Sequence, residues 1–323
     1  MKKLYAIGEA LIDFIPEETG KPIREVSGFR PAPGGAPANV CGAFSKLGGE
    51  SEMITELGDD PFGDKIIESF KENNIGYSKV IRTKKANTAL AFVSLMADGN
   101  REFSFYRKPS ADMLLTPEEV DEKWFDDAAI LHFCSVALAA EPMRSAHVKA
   151  IKAAKAAGAI ISFDPNLRFN LWDSKEALRE TVREFLPLAD VVKISDEELA
   201  FILGEDGKEY TDEEAREKIS TLFTGDIKLI IYTLGSRGSS AFTTKASKFV
   251  ASEKVKAVDT TGAGDGFIGS LLYQLYKDGL TPDKLEDISE EKMAEYLDRS
   301  NHFSGESVQH AGAIQSYPTE FYN

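Results

Sequence analysis

The chain has 323 residues, with 38 Lys and Arg against 53 Asp and Glu, and a formal net charge of −15. A hydrophobic share of 42% beside 28% charged residues fits a folded globular protein and argues against global disorder, while the acidic balance makes nucleic acid and anionic membrane surfaces poor partners. Two cysteines, Cys41 and Cys134, are too few for a disulfide framework or a cysteine-rich zinc site; with no secretory signal and no apolar run near the ~20 residues of a membrane helix, a reduced, soluble, cytoplasmic protein is expected.

In chain order, residues 4–14 read as one strand, 37–47 as a helix with Val40, Ala43, Phe44 and Leu47 on one face, 53–57 as a strand and 62–73 as a helix. Residues 20–32 and 88–107 break the rhythm. The second of these holds two β-like runs, 90–96 and 102–107, around a turn at Asp98-Gly99-Asn100. A small β-flap over one edge of a larger sheet explains both segments; a surface hairpin without a role competes with it. Residues 130–136 form a buried strand, followed by an Ala-rich helix ending near Gly158, a strand at 160–163, a helix at 175–185, and a further strand and helix at 191–194 and 197–203. The charge run 212–218 reads as a solvated helix face. Residues 229–234 are the last clear central strand. Strands apolar on both faces and separated by helices imply parallel βαβ units, hence a three-layer α/β sandwich.

Three motifs carry chemistry. Residues 259–267, Asp-Thr-Thr-Gly-Ala-Gly-Asp-Gly-Phe, run straight into a helical pattern with Phe267, Ile268, Leu271, Leu272 and Leu275 on one face. Small residues before a helix start leave unpaired N–H groups and a positive dipole end facing any ligand, which makes an anion site. Asp265 beside that site repels phosphate, so it makes sense as a base for an attacking hydroxyl; a turn with a helix cap is the plainer explanation. Residues 33–39, Pro-Gly-Gly-Ala-Pro-Ala-Asn, lead into another helix, where Asn39 could bind a ligand hydroxyl or simply sit in a core helix. Residues 233–238, Thr-Leu-Gly-Ser-Arg-Gly, end a strand and suit either a nucleotide phosphate loop or a tight turn. The P-loop, the dinucleotide fingerprint and the protein-kinase signatures are absent from the sequence, and the four histidines have no metal-ligand spacing.

With these motifs in place, the sequence resembles the ribokinase-like PfkB family of carbohydrate kinases over nearly its whole length. The amino-terminal signature matches from Gly34 through Asn39 and Gly48 to Gly58, with Cys41 where a smaller residue is usual; the carboxy-terminal signature matches from Asp259 to Leu272, with Ser270 where Ala or Gly is usual. The resemblance implies a ribokinase-like three-layer α/β/α sandwich with a mostly parallel central sheet and a small β-sheet lid, in a single domain spanning 1–323 with lid segments at about 14–33 and 88–107. It implies Asp265 as catalytic base and Gly262, Ala263 and Gly264 as the anion hole. Thr233, Gly235, Ser236 and Gly238 take the nucleotide loop, and Asn301 a place near the adenine. Ser195 and Glu198 resemble the N-x-x-E element that organises Mg²⁺, with Ser195 replacing the Asn. Asp259, Thr261, Ser307, His310, Gly312 and Ser316 resemble positions around a monovalent cation, K⁺.

On the sugar side, Asp13, Gly34, Gly35 and Asn39 resemble hydroxyl-binding positions. Arg107 and Arg168, with their flanking segments, are similar to those of members that phosphorylate the 6-hydroxyl of D-fructose with ATP. Members acting on 2-keto-3-deoxygluconate share these regions and are the runner-up; ribose and nucleoside kinases rank lower. A non-catalytic sugar sensor on the same fold would be expected to lack Asp265 or the glycines, and an NAD-dependent oxidoreductase would need the missing fingerprint. The expected partners are a small sugar, ATP and a second copy of the chain, joined through the lid.

Overall fold

Leu4, Tyr5, Ala6 and Ile7 are all buried, so the first strand presents an apolar layer on each face. The computed structural model describes residues 2–95 and 101–321. In chain order these form β1 (Lys3–Ile7), β2 (Leu11–Pro16), β3 (Phe29–Gly34), α1 (Ala36–Lys46), β4 (Ser51–Gly58), α2 (Pro61–Glu72), β5 (Ile75–Thr83), β6 (Leu90–Leu95), β7 (Arg101–Tyr106), β8 (Ala128–Cys134), α3 (Met143–Ala156), β9 (Ile160–Asp164), α4 (Lys175–Phe185), β10 (Val191–Ser195), α5 (Asp196–Leu203), α6 (Asp212–Ser220), β11 (Leu229–Thr233), β12 (Ser239–Phe242), β13 (Ser247–Val250), α7 (Ala263–Lys277) and α8 (Glu290–Ser307).

The large sheet runs β13-β12-β11-β10-β9-β8-β1-β4-β5. Neighbours are parallel from β11 to β5, and β12 and β13 extend the sheet antiparallel. Tyr5, Ile7, Leu131 and Phe163 pack on one side with α3, α4 and α5, while Leu4, Ala6, Met53 and Ile130 pack on the other with α1, α7 and α8. This is the expected three-layer sandwich. The chain runs one way from β1 to β4 and β5 and the other way from β8 to β11, so the switch point lies between β1 and β8. Crevices outside the carboxyl ends of strands at such a point are where ligands bind in this architecture.

A second sheet, β3-β2-β6-β7, lies over that crevice. Here the sequence expectation needs correcting: residues 4–14 are two strands. The chain turns at residues 8–10, with Glu9 buried in the turn, and β2 then leaves the central sheet to pair antiparallel with β3 and parallel with β6. The first lid segment accordingly starts at Leu11, ahead of residue 14. The antiparallel β6–β7 pair is the expected hairpin; its turn at Asp98-Gly99-Asn100 lies outside the described residues. The edge strand β5 escaped the sequence reading because half of it is solvated, and β12 with β13 lengthens the sheet past residues 229–234. As expected, α6 is mostly solvated, and Thr211 and Glu214 close a reciprocal cap at its start.

Candidate active site

Helix α7 sets the centre of the site. Its first residue follows Gly262, whose φ of 73° is left-handed and whose Cβ, were there one, would lie 2.6 Å from Ala313 Cβ and 2.7 Å from the Tyr317 hydroxyl. Tyr317 donates to the Gly262 carbonyl at 2.7 Å and pins the turn. Ala263 N–H bonds back to Thr260 and Gly266 N–H to Gly262, and no other described backbone group receives the Gly264 or Asp265 N–H. The dipole end and these amides face a cavity of about 280 Å³ lined by Lys193, Ser195, Glu198, Gly262, Gly264 and Asp265.

Asp265, in the first turn, is buried, and each of its carboxylate oxygens accepts one side-chain amide. Asn39 from α1 donates to Oδ2 at 2.8 Å, and Asn166, just after β9, donates to Oδ1 at 3.1 Å. Burial pushes its pKa above the ordinary carboxylate value, while Asn39, Arg168, Lys193 and Asn166 pull it back. The clamp thus fixes the rotamer and keeps the charged form available.

On the other side of Asp265 lies a cavity of about 410 Å³ under the lid. It is lined by Asp13 and Ile15 of β2, Gly34 and Gly35, Asn39, and the lid residues Val93, Phe103 and Phe105. Asn166, Arg168, Thr260, Gly262 and Asp265 line both cavities, so Asp265 stands where they meet. Gly35 holds φ 113°, and a Cβ there would lie 2.5 Å from the Glu9 carbonyl oxygen. Asp13 is pushed up to about 7 by burial, against the pull of Arg168 and with repulsion from Asp265. Glu9 also reaches about 7 through burial, opposed first by Arg107; its Oε1 accepts the Ala36 N–H at 3.0 Å at the start of α1, and its Oε2 is buried in the cavity wall without a hydrogen-bond partner.

The remaining expected residues fall into three groups. Ser195 and Glu198 both reach the 280 Å³ cavity but are joined to each other: Glu198 N–H donates to Ser195 Oγ at 3.1 Å and Ser195 N–H to Glu198 Oε2 at 2.8 Å, a reciprocal cap on α5. Asp259 and Gly312 come together, since Asp259 Oδ2 accepts the Gly312 N–H at 3.0 Å while Oδ1 accepts the Thr261 N–H and hydroxyl at 2.9 and 2.6 Å. Ser307, His310 and Ser316 lie in the segments that follow, bonded to their own turns: Ser307 Oγ to Ser304 O, His310 N–H to Ser307 O, and Ser316 Oγ to Ala313 O.

Other expected residues line neither cavity. Arg107 is buried and turned inward: Nε donates to Asp112 Oδ2 at 2.7 Å, Nη2 lies 2.5 Å from the same oxygen, and Nη1 donates to Val136 O at 3.0 Å. Asn301 bridges the sheet edge, accepting from Ser239 Oγ at 2.9 Å and donating to Val250 O at 3.2 Å. Thr233, Gly235, Ser236 and Gly238 end β11 and turn into β12, with Arg237 paired to Asp196 at 3.0 Å. His132 and His147 are buried, and burial depresses both, to about 3 and about 4; no described group of three or more His, Cys, Asp or Glu could hold a metal ion.

The sequence reading missed Glu9, Asp164, Asn166 and Lys193. Glu9, Asp164 and Asn166 sit at or just past the carboxyl ends of β1 and β9, which is the one signal that could have found them, and Lys193, a charge inside an apolar strand, lies mid-way along β10.

The chain matches the pfkB family of carbohydrate kinases over residues 1–320. It is 43% identical over 317 residues to fructokinase-1 of Zea mays, covering 98% of this chain and 95% of that one. A crystal structure of fructokinase from Xylella fastidiosa with bound ATP superposes with a TM-score of 0.87 at 35% identity, covering 98% of this chain and 96% of that one. A fructokinase from Vibrio cholerae O395, in a form with fructose, ADP and calcium bound, gives a TM-score of 0.84 at 33% identity and the same coverage; a double mutant of that enzyme was solved with fructose, ADP and potassium.

Proposed function

The chain belongs to the pfkB family of carbohydrate kinases and is a sugar kinase, and on that premise we propose that it transfers the γ-phosphoryl group of ATP to the 6-hydroxyl of D-fructose. The observation that carries the reading is the position of Asp265, clamped by two amides at the junction of a lidded cavity and the amino end of α7. A sugar under the lid presents its hydroxyl to Asp265, which takes the proton as the oxygen attacks. The Gly262–Gly264 amides face the phosphoryl group and stabilise its equatorial charge. Asp13 and Arg168 hold sugar hydroxyls, and the Val93, Phe103 and Phe105 wall keeps water from competing as acceptor. The fructokinases among its relatives support fructose as that sugar.

Glu198 suits Mg²⁺ that arrives with the nucleotide, since such an ion takes most of its oxygens from phosphates and water; bound there it would neutralise phosphate charge. The Asp259 staple and nearby carbonyls suit K⁺, which would stiffen the loop ahead of the anion hole. Rates in K⁺ and in a bulky organic cation at equal ionic strength should then differ, and equal rates would remove K⁺ from the reading. The Thr233–Gly238 loop and Asn301 are assigned to the nucleotide by family resemblance alone.

Residues 1–323 are read as one kinase domain. The outer lid face carries Phe92 with Phe14, Phe29 and Tyr106 each packed against its ring, and Tyr106 is 64% exposed. That surface supports a homodimer through the lid, which light scattering checks; a monomer at working concentration removes it. A cytoplasmic location accords with the free cysteines Cys41 and Cys134, and cell fractionation tests it.

Turnover measured with fructose, 2-keto-3-deoxygluconate, ribose and adenosine tests the substrate. Fructose should give the highest kcat/KM and fructose 6-phosphate as product. A higher value for ketodeoxygluconate would overturn the choice of sugar.

A further inference from the structure

Lys193 is the one charged residue in β10, among Val191, Val192 and Ile194, in the middle of a parallel sheet covered on both faces. A lysine there is costly unless its ammonium is engaged. Its Nζ lies 3.2 and 3.1 Å from the two oxygens of Asp164, at the end of β9, and 3.9 Å from Glu198 Oε2. Burial works against the ammonium, but Asp164 and Glu198 outweigh it and raise its pKa, so it stays charged.

Two features separate this group from a purely structural ion pair. An ammonium has three donors, and only the bond to Asp164 meets hydrogen-bond geometry among the described residues. The side chain also lines the 280 Å³ cavity, and a Cβ built on Gly264 would lie 3.4 Å from Nζ. A phosphoryl group received by the amides at the start of α7 therefore comes within reach of the remaining Lys193 donors. Arg168, the other cation at the cavity, is exposed and bonds the Leu167 carbonyl.

We infer that Lys193 is a further catalytic residue: an ammonium stored on Asp164 and Glu198 that donates to the transferring phosphoryl group beside the Gly262–Gly264 amides. Its charge then offsets the negative charge spread over the equatorial oxygens of the group in transfer and shared with the leaving oxygen. Lys193 keeps its protons throughout; the proton of the attacking hydroxyl goes to Asp265. The inference rests on the kinase reading but not on the choice of sugar.

The test compares wild type, Lys193→Arg, Lys193→Met and the charge-balanced double variant Lys193→Met/Asp164→Asn. The double variant guards against misfolding, because it removes one positive and one negative charge together, leaves Glu198 held by the Leu167 and Ser195 N–H groups at 3.2 and 2.8 Å, and through Asp164→Asn keeps an acceptor for the Asn166 N–H, now at 3.1 Å. Calorimetry with Mg²⁺ measures ADP and the β,γ-imido analogue of ATP. The double variant should bind ADP nearly as wild type does and the analogue about 10–100-fold more weakly, as expected for loss of a charged hydrogen bond to the γ-phosphoryl group. Its kcat should fall by about 10²–10³-fold on whichever sugar wild type uses, and Lys193→Arg should recover part of both. Equal loss for the two nucleotides, or recovery of kcat once charge is balanced, would overturn the assignment and leave Lys193 as a strut. Wild type turning over none of the sugars would sink the kinase reading instead, and the nucleotide comparison would still report on Lys193.

Discussion

Replacing Asp265 by Asn separates chemistry from architecture at this site. The carboxylate is the group placed to accept the hydroxyl proton, and general-base assistance typically contributes about 10²–10⁴-fold, or about 2.7–5.5 kcal/mol of barrier. The structure also says what else the substitution disturbs. Both Asp265 oxygens accept amide N–H groups, from Asn39 and Asn166, so a carboxamide turns one NH₂ toward another. Asn39 can relieve this by flipping, because its Oδ1 is buried without a partner. Burial raises Asp265 above its ordinary value, so the ionised carboxylate costs stability at neutral pH that the neutral amide does not. Asp265→Asn should therefore lower kcat by at least about 10²-fold while the melting temperature holds or rises. A coupled assay for ADP release, calorimetry for sugar and nucleotide, and a thermal melt together check this. Removing a negative charge that faces the triphosphate should leave ATP binding unchanged or tighter. A variant that binds both substrates and keeps kcat within about tenfold of wild type would refute the role of Asp265.

Two further outcomes follow from the carboxylates and the buried arginine. Asp13 has a folded pKa of about 7 against 3.8 for the free group; ionising it in the empty site costs stability that is absent below the lower value and complete above the higher one. Asp13→Asn should stabilise the ligand-free protein at about pH 8 and have little effect near pH 4, and in wild type the kcat/KM for sugar should fall as pH drops through about 7; a flat sugar profile with a pH-independent melting difference would refute it. Arg107→Ala leaves Asp112, which is fully buried, without its counter-charge, and should cost about 3–5 kcal/mol of stability by denaturant titration. A change below about 1 kcal/mol with a raised sugar KM would return Arg107 to the substrate.

How much of this could be read from the sequence depended on how local each feature is. The anion hole and Asp265 are legible because Gly262 to Asp265 are contiguous and the apolar face of α7 starts at once. The βαβ rhythm is legible because strands buried on both faces are largely apolar. Asn166 was hidden because its role is a bond to Asp265 across 99 residues, made only when the segment after β9 meets the start of α7. Arg107 misleads for the opposite reason. Its partner, Asp112, is five residues away, yet nothing in the intervening polar stretch says that the chain folds both inward behind the crevice. The split between β1 and β2 is signalled by Glu9, a charge inside an apolar run, which the alternation of its neighbours masks.

The charges gathered at the site explain why a buried lysine belongs there. Glu198 and Asp265 line the cavity at the start of α7, Asp164 lies against Lys193 in its wall, and of the three Asp164 and Asp265 are pushed up by burial. An incoming triphosphate adds negative charge to a place that already has too much. Helix dipole and amides alone offset only a fraction of a charge, and Arg168 stands at the rim in contact with solvent, where screening weakens it. Ions arriving with the nucleotide supply part of the balance. The protein's own share must come from a cation that is present, dehydrated and fixed before the phosphate arrives, and of the described residues lining that cavity Lys193 alone meets those conditions. Its two carboxylate partners then serve the reaction by making the ammonium affordable in the resting protein. They should also weaken its grip enough for the ammonium to be shared with substrate, which is why the charge-balanced double variant is the decisive comparison.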